Sequence, residues 1–365
     1  MKIFWCSNCI SMSTRPRINF DKDGKCNACI WALKKKKYNW NKNKLKLNKY
    51  IKKIKGKSSY DCIVPVSGGK DGSYVYHQIK KNFKLNPLAV TVSPPLPQKL
   101  GDKNLKNFVE SGVPLVSVSP PYEAMRKLNF YGLKYMGFPY YGWLIAIHTA
   151  VIRIAQSLDI KLIFYGEDGE LEYGGTSETA GKIFYDVEYQ KKIYLENGHN
   201  KILTKSKISK KELFFFNYPE KNCSDIKLTH YSYYENWDPY KNYIIAKKYY
   251  GLEENKETNI GTFSNFAQND QKLYPLHTYF MYLKFGFGRA NQDASIEVRR
   301  GAMKRQQAIE LVKLYDHLFP DQYLNDYLDY YKITISDFNK IIDKWANKKI
   351  LKKKNGYWVP KFYIK

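Results

Sequence analysis

The sequence predicts an α/β fold: a parallel sheet with helices on both faces, preceded by an N-terminal zinc knuckle and followed by a helical C-terminal region. Three observations predict it. Short apolar runs alternate with helical periodicity from residue 58 to about 175. Two Cys-x2-Cys pairs, Cys6/Cys9 and Cys26/Cys29, are separated by sixteen residues. The last third carries apolar and aromatic residues at helical spacing. These patterns divide the chain into a metal-binding segment with a linker helix (1–57), a nucleotide-binding α/β domain (58–235) and a helical region completing the substrate site (236–365).

Composition narrows the function classes. The 365 residues have room for two or three compact units. No run of about 18 apolar residues exists, so no membrane span or membrane partner is expected. Met1–Cys6 leads into no apolar signal segment, and a cytoplasmic location is expected. The formal charge is +27, yet only eight of the 61 basic residues are arginine. Arginine is the residue that reads bases and grips phosphates bidentately. The charge therefore supports an anionic substrate or surface, with nucleic acid disfavoured as a partner.

Within 1–57, each Cys-x2-Cys knuckle offers two thiolates to one tetrahedral ion. Four sulfur ligands leave no open position, which predicts a structural Zn²⁺ site. Two disulfides are the rival reading, disfavoured without secretion. Lys34–Lys37, then Leu45, Leu47, Tyr50, Ile51 and Ile54 among lysines, predict a solvated linking helix; a nucleic-acid patch is the alternative. Predicted strands follow at 63–66, 87–92, 113–118 and 162–165. Helices run from the first strand to about Phe83, around 104–109, and over 144–158. Pro65 is awkward in a central strand, and a bulge before the turn would accommodate it. Further on, 212–216 reads as a helix end, 228–234 as a strand with His230 in the core or at its rim, and Pro239 as the first turn of a helix to Lys248. An aromatic helix ends near 284–289, and 308–350 reads as terminal packing helices.

The chemistry is predicted at strand ends. Ser67, Gly68, Gly69, Lys70, Asp71, Gly72 and Ser73 form a strand-to-helix turn. Such a turn aims backbone N–H groups and the positive end of a helix at an anion. Adjacent glycines let that anion approach, Lys70 adds a point charge, and Asp71 can hold Mg²⁺ or cap the helix. The spacing is neither a Walker P-loop nor a dinucleotide turn. The fourth strand runs into four carboxylates, Glu167, Asp168, Glu170 and Glu172. They read as Mg²⁺ ligands or as an acidic surface loop, with Glu167 the foremost candidate because it is nearest the strand end. Amide-rich 261–270, including Asn265, Gln268 and Asn269, and the arginines 289, 299, 300 and 305 suggest a substrate edge with an anion clamp; a salt-bridged helix surface is the alternative.

The turn resembles the pyrophosphate-binding SGGxDS loop of PP-loop ATP pyrophosphatases, which split ATP between the α and β phosphates. Gly72 stands where that superfamily carries serine, and a hydroxyl returns at Ser73. Over nearly its whole length the chain resembles the N-acetyl sugar amidotransferases of the PseA/WbpG type. The resemblance rests on Cys6-x2-Cys9-Ile10-x-Met12-Ser13-Thr14-Arg15-Pro16-Arg17-Ile18, Cys26-Asn27-Ala28-Cys29, Pro65-Val66-Ser67-Gly68-Gly69-Lys70-Asp71, Gly166-Glu167 with Glu172-Tyr173-Gly174-Gly175, and Lys284-Phe285-Gly286-Phe287-Gly288-Arg289-Ala290. It implies conversion of an acetamido group to an acetamidino group on a free or nucleotide-activated sugar, through an O-adenylyl imidate, with release of AMP and pyrophosphate. Sugars of this kind include pseudaminic and legionaminic acids on flagella and O-antigen uronic acids. ATP, Mg²⁺ and Zn²⁺ are the implied cofactors. Ammonia would come from a histidine-biosynthesis-like glutaminase with an ammonia-channelling subunit. On this reading Ser67–Ser73 bind ATP, Lys70, Asp71 and Glu167 are catalytic, Asp71 and Glu167 hold Mg²⁺, and Arg289, Asn265, Gln268 and Asn269 bind substrate. A PP-loop tRNA-modifying enzyme, a thiolase or lysidine synthetase, is the competing class. Beyond the paired cysteines only Cys62 and Cys223 remain for the cysteine chemistry of thiolation. A nucleotide-binding protein that lost activity with Gly72 is a third.

Overall fold

The computed structural model describes residues 3–219 and 223–364. Its centre is a five-stranded, all-parallel sheet of β1 (Cys62–Pro65), β2 (Pro87–Val92), β3 (Leu115–Val118), β4 (Leu162–Tyr165) and β5 (Lys227–His230), in the order β3-β2-β1-β4-β5. Every residue of β2 is buried. Successive side chains point to opposite faces, so both faces of this strand are covered, as the apolar runs predict. Helices Tyr141–Ser157 and Lys70–Gln78 pack on the sheet, and Pro239–Tyr250 packs on the latter. The chain is thus α/β, with a parallel sheet flanked by helices.

The strand order positions the site. From β1 the chain steps outward to β2 and β3, then returns to β4 on the other side of β1. At such a reversal the loops leaving the two central strands diverge and open a crevice beyond their carboxyl ends. Here those loops begin at Val66 and Gly166. Pro65 is the last residue of β1, and Val66 resumes pairing by donating its N–H to the Val90 carbonyl at 2.9 Å. The proline needs no bulge, because it stands where the strand ends.

The helical part of the core is rich in tyrosine. A buried phenol must find a partner for its hydroxyl. Tyr327 donates to the Lys272 carbonyl and Tyr331 to that of Pro139, both at 2.7 Å. Helix Trp40–Ile54 buries Leu47 and Ile51 against the sheet domain and leaves most of its lysines outside.

Three elements depart from the sequence expectations. Helix Tyr122–Met136 lies in a stretch with no predicted element. Its inner face carries Asn129, a polar residue that interrupts the apolar stripe but is satisfied, donating to Tyr330 Oη at 2.8 Å and accepting from Trp143 N at 3.0 Å. The strand expected over 228–234 stops at His230, and Tyr231–Tyr233 form a 3-10 turn. Beyond the terminal helices, β6 (Leu351–Lys354) and β7 (Tyr357–Pro360) form an antiparallel hairpin. Among the described residues, no helix is long and apolar enough to cross a membrane.

Candidate functional site

The loop that leaves β1 is shaped by its glycines. Gly68 has φ +79°, and a Cβ there would lie 2.5 Å from the Leu105 backbone nitrogen. Helix Lys99–Glu110 therefore presses directly on the loop. Gly68→Ala is expected to lower stability by about 1–3 kcal/mol, the usual cost of overpacking, with added left-handed strain; a denaturant midpoint unchanged from the parent would contradict the close packing. Gly69 is the N-cap of helix Lys70–Gln78 and contributes no side-chain cap. The N–H groups of the first turn are thus left for a ligand. A Cβ at Gly72 would lie 3.1 Å from the Pro65 oxygen and the Val66 Cα. Glycine here lets the helix sit against β1. Ser73 is fully buried, and its hydroxyl has no hydrogen-bond partner among the described residues. It does not line the cavity.

Ser67, Gly69, Lys70, Asp71 and Gly72 line one cavity of about 250 Å³ together with Glu167, Arg289, Gln268 and Asn269. Residues more than 200 positions apart in sequence thus meet at the β1/β4 crevice. Asp71 pairs with Lys70 through one carboxylate oxygen and accepts from Asn242 Nδ2 at 2.8 Å through the other. Glu167 accepts from Tyr173 Oη at 2.7 Å. Burial raises the pKa of Glu167, and the neighbouring charge of Asp71 raises it further. A carboxylate whose proton affinity is raised by a second carboxylate beside it is the arrangement a divalent cation relieves. Arg289 lies half-buried beside them. Burial opposes its charge, but Asp293, at 2.8 Å, and the nearby Tyr173 and Glu167 outweigh that and hold it charged.

The rest of the acidic segment turns away from the cavity. Asp168 is buried and accepts from Thr179 Oγ1 and Tyr233 Oη. Glu170 takes a two-point contact from Arg17, at 2.8 and 2.7 Å. Glu172 accepts from Trp31 Nε1 at 3.0 Å and Lys35 Nζ at 2.7 Å. Glu167 alone of the four lines the crevice; Glu170 and Glu172 brace the N-terminal segment, and Asp168 ties the loop to Thr179 and Tyr233. The arginines divide in the same way. Arg289 reaches the cavity, whereas Arg299 bonds the Glu172 carbonyl and Cys9, Arg300 pairs with Asp238, and Arg305 bonds the Cys9 carbonyl. Arg15 lies over the rings of Tyr173 and Phe287.

Cys6, Cys9, Cys26 and Cys29 bring their sulfurs within 4.8 Å of one another, all buried. The Cys6–Cys29 and Cys9–Cys26 separations are 3.7 Å. Four thiolates about 2.3 Å from one tetrahedral ion stand about 3.8 Å apart. The four are free cysteines, not disulfides. Asn8 Nδ2, the Ser11 and Cys26 N–H groups and the Arg299 guanidinium all donate to the sulfurs. Such donors stabilise thiolate charge and fix ligand orientation. The cluster can hold a single tetrahedral metal ion.

Sequence reasoning missed several cavity residues. Asp270, Tyr173, Tyr274 and Asn104 line the cavity. Burial pushes the Asp270 carboxyl up to about 7, and one of its oxygens is buried without a partner among the described residues. A carboxylate closing an amide-rich loop was the available signal. Asn265, expected at the substrate edge, instead ties the loop down, donating to the Asn255 carbonyl at 2.7 Å and accepting from Asn269 Nδ2 at 3.0 Å.

Residues 260–363, which include Gln268, Asn269, Asp270 and Arg289, match the family described as LPS biosynthesis protein WbpG-like, C-terminal domain. An uncharacterized protein of Methanocaldococcus jannaschii is 36% identical over 89 residues, 24% of this chain; the match spans about a third (32%) of that protein's length. Among solved structures, the U34-tRNA thiolase NcsA from Methanococcus maripaludis, with its 4Fe–4S cluster, is similar at 12% identity and a TM-score of 0.32, over 97% of this chain and 100% of that one.

Proposed function

We propose that this chain is an ATP-dependent, AMP-forming amidotransferase that converts a sugar acetamido group to an acetamidino group. The observation that carries this reading is the convergence of the glycine-rich loop with Lys70, Asp71, Glu167 and Arg289 in one cavity, walled on one side by the segment that matches a lipopolysaccharide-biosynthesis family. In this reading the loop's N–H groups and Lys70 grip the pyrophosphate of ATP. Asp71 and Glu167 hold Mg²⁺, which offsets phosphate charge. Arg289 stabilises charge on the transferring phosphoryl group. The cysteine cluster holds a structural Zn²⁺.

An amide oxygen is a poor leaving group. Its attack on the α-phosphorus forms an O–P bond, breaks the bond to pyrophosphate and gives an O-adenylyl imidate. Ammonia then adds to the imidate carbon, and AMP departs with the former acetamido oxygen. The acetamido nitrogen loses a proton in the first step and the adding ammonia loses one in the second. Asp270, half-neutral near pH 7, accepts them. Activity should therefore rise with pH through about 7, where Asp270 ionises, and Asp270→Asn should abolish that limb; an unchanged profile would remove Asp270 from the chemistry. Ammonia comes from a partner glutaminase. Cys62 supports this division of labour, since it is buried in β1 with its thiol pKa pushed up by burial, the opposite of an activated nucleophile.

The test is ATP-dependent AMP release by the purified chain with ammonium salts, offered a panel of free and nucleotide-activated acetamido sugars and, separately, bulk tRNA. The proposal expects AMP with at least one sugar, ammonium replacing the partner, and no turnover with glutamine alone. AMP release dependent on tRNA and on no sugar would favour a tRNA-modifying enzyme instead.

A further inference from the structure

A second cavity, of about 450 Å³, opens beside the first. Gln268 lines both. Its backbone is in the left-handed region, φ +60°, which few residues other than glycine adopt. Such a conformation persists only where its surroundings enforce it. Here four asparagines do so. Asn255 Nδ2 donates to Asn259 Oδ1 at 2.6 Å and to Asn269 Oδ1 at 3.1 Å, and Asn259 Nδ2 donates to the Ala267 carbonyl at 2.5 Å and to Asn269 Oδ1 at 2.7 Å. Asn265 closes the network from the other side, as described. The loop between the cavities is thus fixed by its own amides, and Gln268 is held where the two spaces meet.

The wall of the second cavity carries Gln98, Asn255, Asn259 and Gln322, with Tyr323 whose hydroxyl donates to Gln98 Oε1 at 3.3 Å. Primary amides present both donors and acceptors, as sugar hydroxyls do. A tyrosine ring offers an apolar face with a polar tip, which suits the C–H face of a pyranose. The first cavity is charged and suits phosphates; the second carries five primary amides, with Lys256 and Glu257 also on its wall. Five of its eleven lining residues, Ile260, Gln268, Pro275, Gln322 and Tyr323, lie in the segment matched by the lipopolysaccharide-biosynthesis family.

We propose that this second cavity binds the saccharide ring of the substrate, an N-acetylated sugar, through amide side chains and Tyr323, so that its acetamido group passes Gln268 into the charged cavity. The assignment rests on the amidotransferase reading for the identity of the sugar.

Saturation-transfer NMR on the full chain tests it without turnover, using N-acetyl-D-glucosamine and UDP-N-acetylglucosamine as probes, glucose as the sugar lacking an acetamido group, and ATP in a parallel titration. Gln322 is exposed, so Gln322→Ala should leave the fold intact; Tyr323→Ala removes the ring. The expected result is binding of an N-acetylated probe in preference to glucose, weakened tenfold or more by either substitution, with ATP affinity changed less than twofold. Three results would overturn the assignment: neither N-acetylated probe binds, binding survives both substitutions, or the substitutions weaken ATP instead, which would make this the adenosine pocket. If the sugar binds here but no AMP forms, the pocket stands and the amidotransferase reading falls. If AMP forms with a sugar whose KM neither substitution changes, the reverse holds.

Discussion

Asp71→Asn and Glu167→Gln are expected to fold normally and to lose AMP formation by about 10²-fold or more, the scale seen when a group stabilising transition-state charge is removed. Both replacements keep shape and hydrogen-bonding reach but remove the charge a hard cation requires. The geometry makes the two effects separable from stability. Asn at position 71 can still accept from Asn242, and Gln at 167 can still accept from the Tyr173 hydroxyl. The raised pKa of Glu167, caused by burial and then by Asp71, means that neutralising Glu167 should ease folding rather than impede it, whereas Asp71→Asn also removes the carboxylate partner of buried Lys70. Lys70→Ala should weaken ATP use similarly, and it should also unbalance Asp71. Glu170→Gln is the internal control. It disturbs the Arg17 contact at the N-terminal segment and leaves the cavity carboxylates in place, so it should affect the melting temperature more than the rate. Initial-rate measurements of AMP release alongside thermal melts check this pattern. Near-normal activity of both amide variants would show that the metal site lies elsewhere.

The second large effect concerns the cysteine cluster. Cys26→Ser, or removal of metal by a chelator, is expected to unfold the N-terminal segment. A structural zinc in a small module contributes about 10–16 kcal/mol of apparent binding free energy to folding. The segment does not stand apart. Arg17 grips Glu170, Trp31 and Lys35 grip Glu172, Thr14 donates to the Phe285 carbonyl at 2.5 Å, and Arg299 joins Cys9 to Glu172. Losing the metal should therefore release the loop that carries Glu167 and Tyr173, and AMP formation should fall with the melting temperature. Elemental analysis and calorimetry on the same preparation check this, with one zinc per chain expected. A chain without bound metal that melts at the parent temperature would contradict a structural metal.

The parallel sheet was legible because buried parallel strands write their burial as unbroken apolar runs, as Ile63-Val64 and Leu88-Ala89-Val90 do. Strand order was not, since nothing local records that β4 returns to the far side of β1. Cys6, Cys9, Cys26 and Cys29 were legible because four ligands to one ion must recur at turn spacing. The acidic segment misled in part. Four carboxylates crowd one strand end, but the chain winds into the short helix Gly169–Tyr173, and only Glu167 keeps its direction toward the crevice while Glu170 and Glu172 swing to the N-terminal segment. Asp270 was hidden for the opposite reason. It is an ordinary aspartate in sequence and becomes unusual only through burial.

The most direct test of the proposed chemistry follows one oxygen atom. An acetamido sugar that supports turnover, labelled with ¹⁸O in its acetamido carbonyl, is incubated with ATP, Mg²⁺ and ammonium, and the AMP is analysed by mass spectrometry. Adenylylation of the amide oxygen predicts one ¹⁸O in the phosphate of each AMP formed. AMP without the label, or ADP as the nucleotide product, would contradict it.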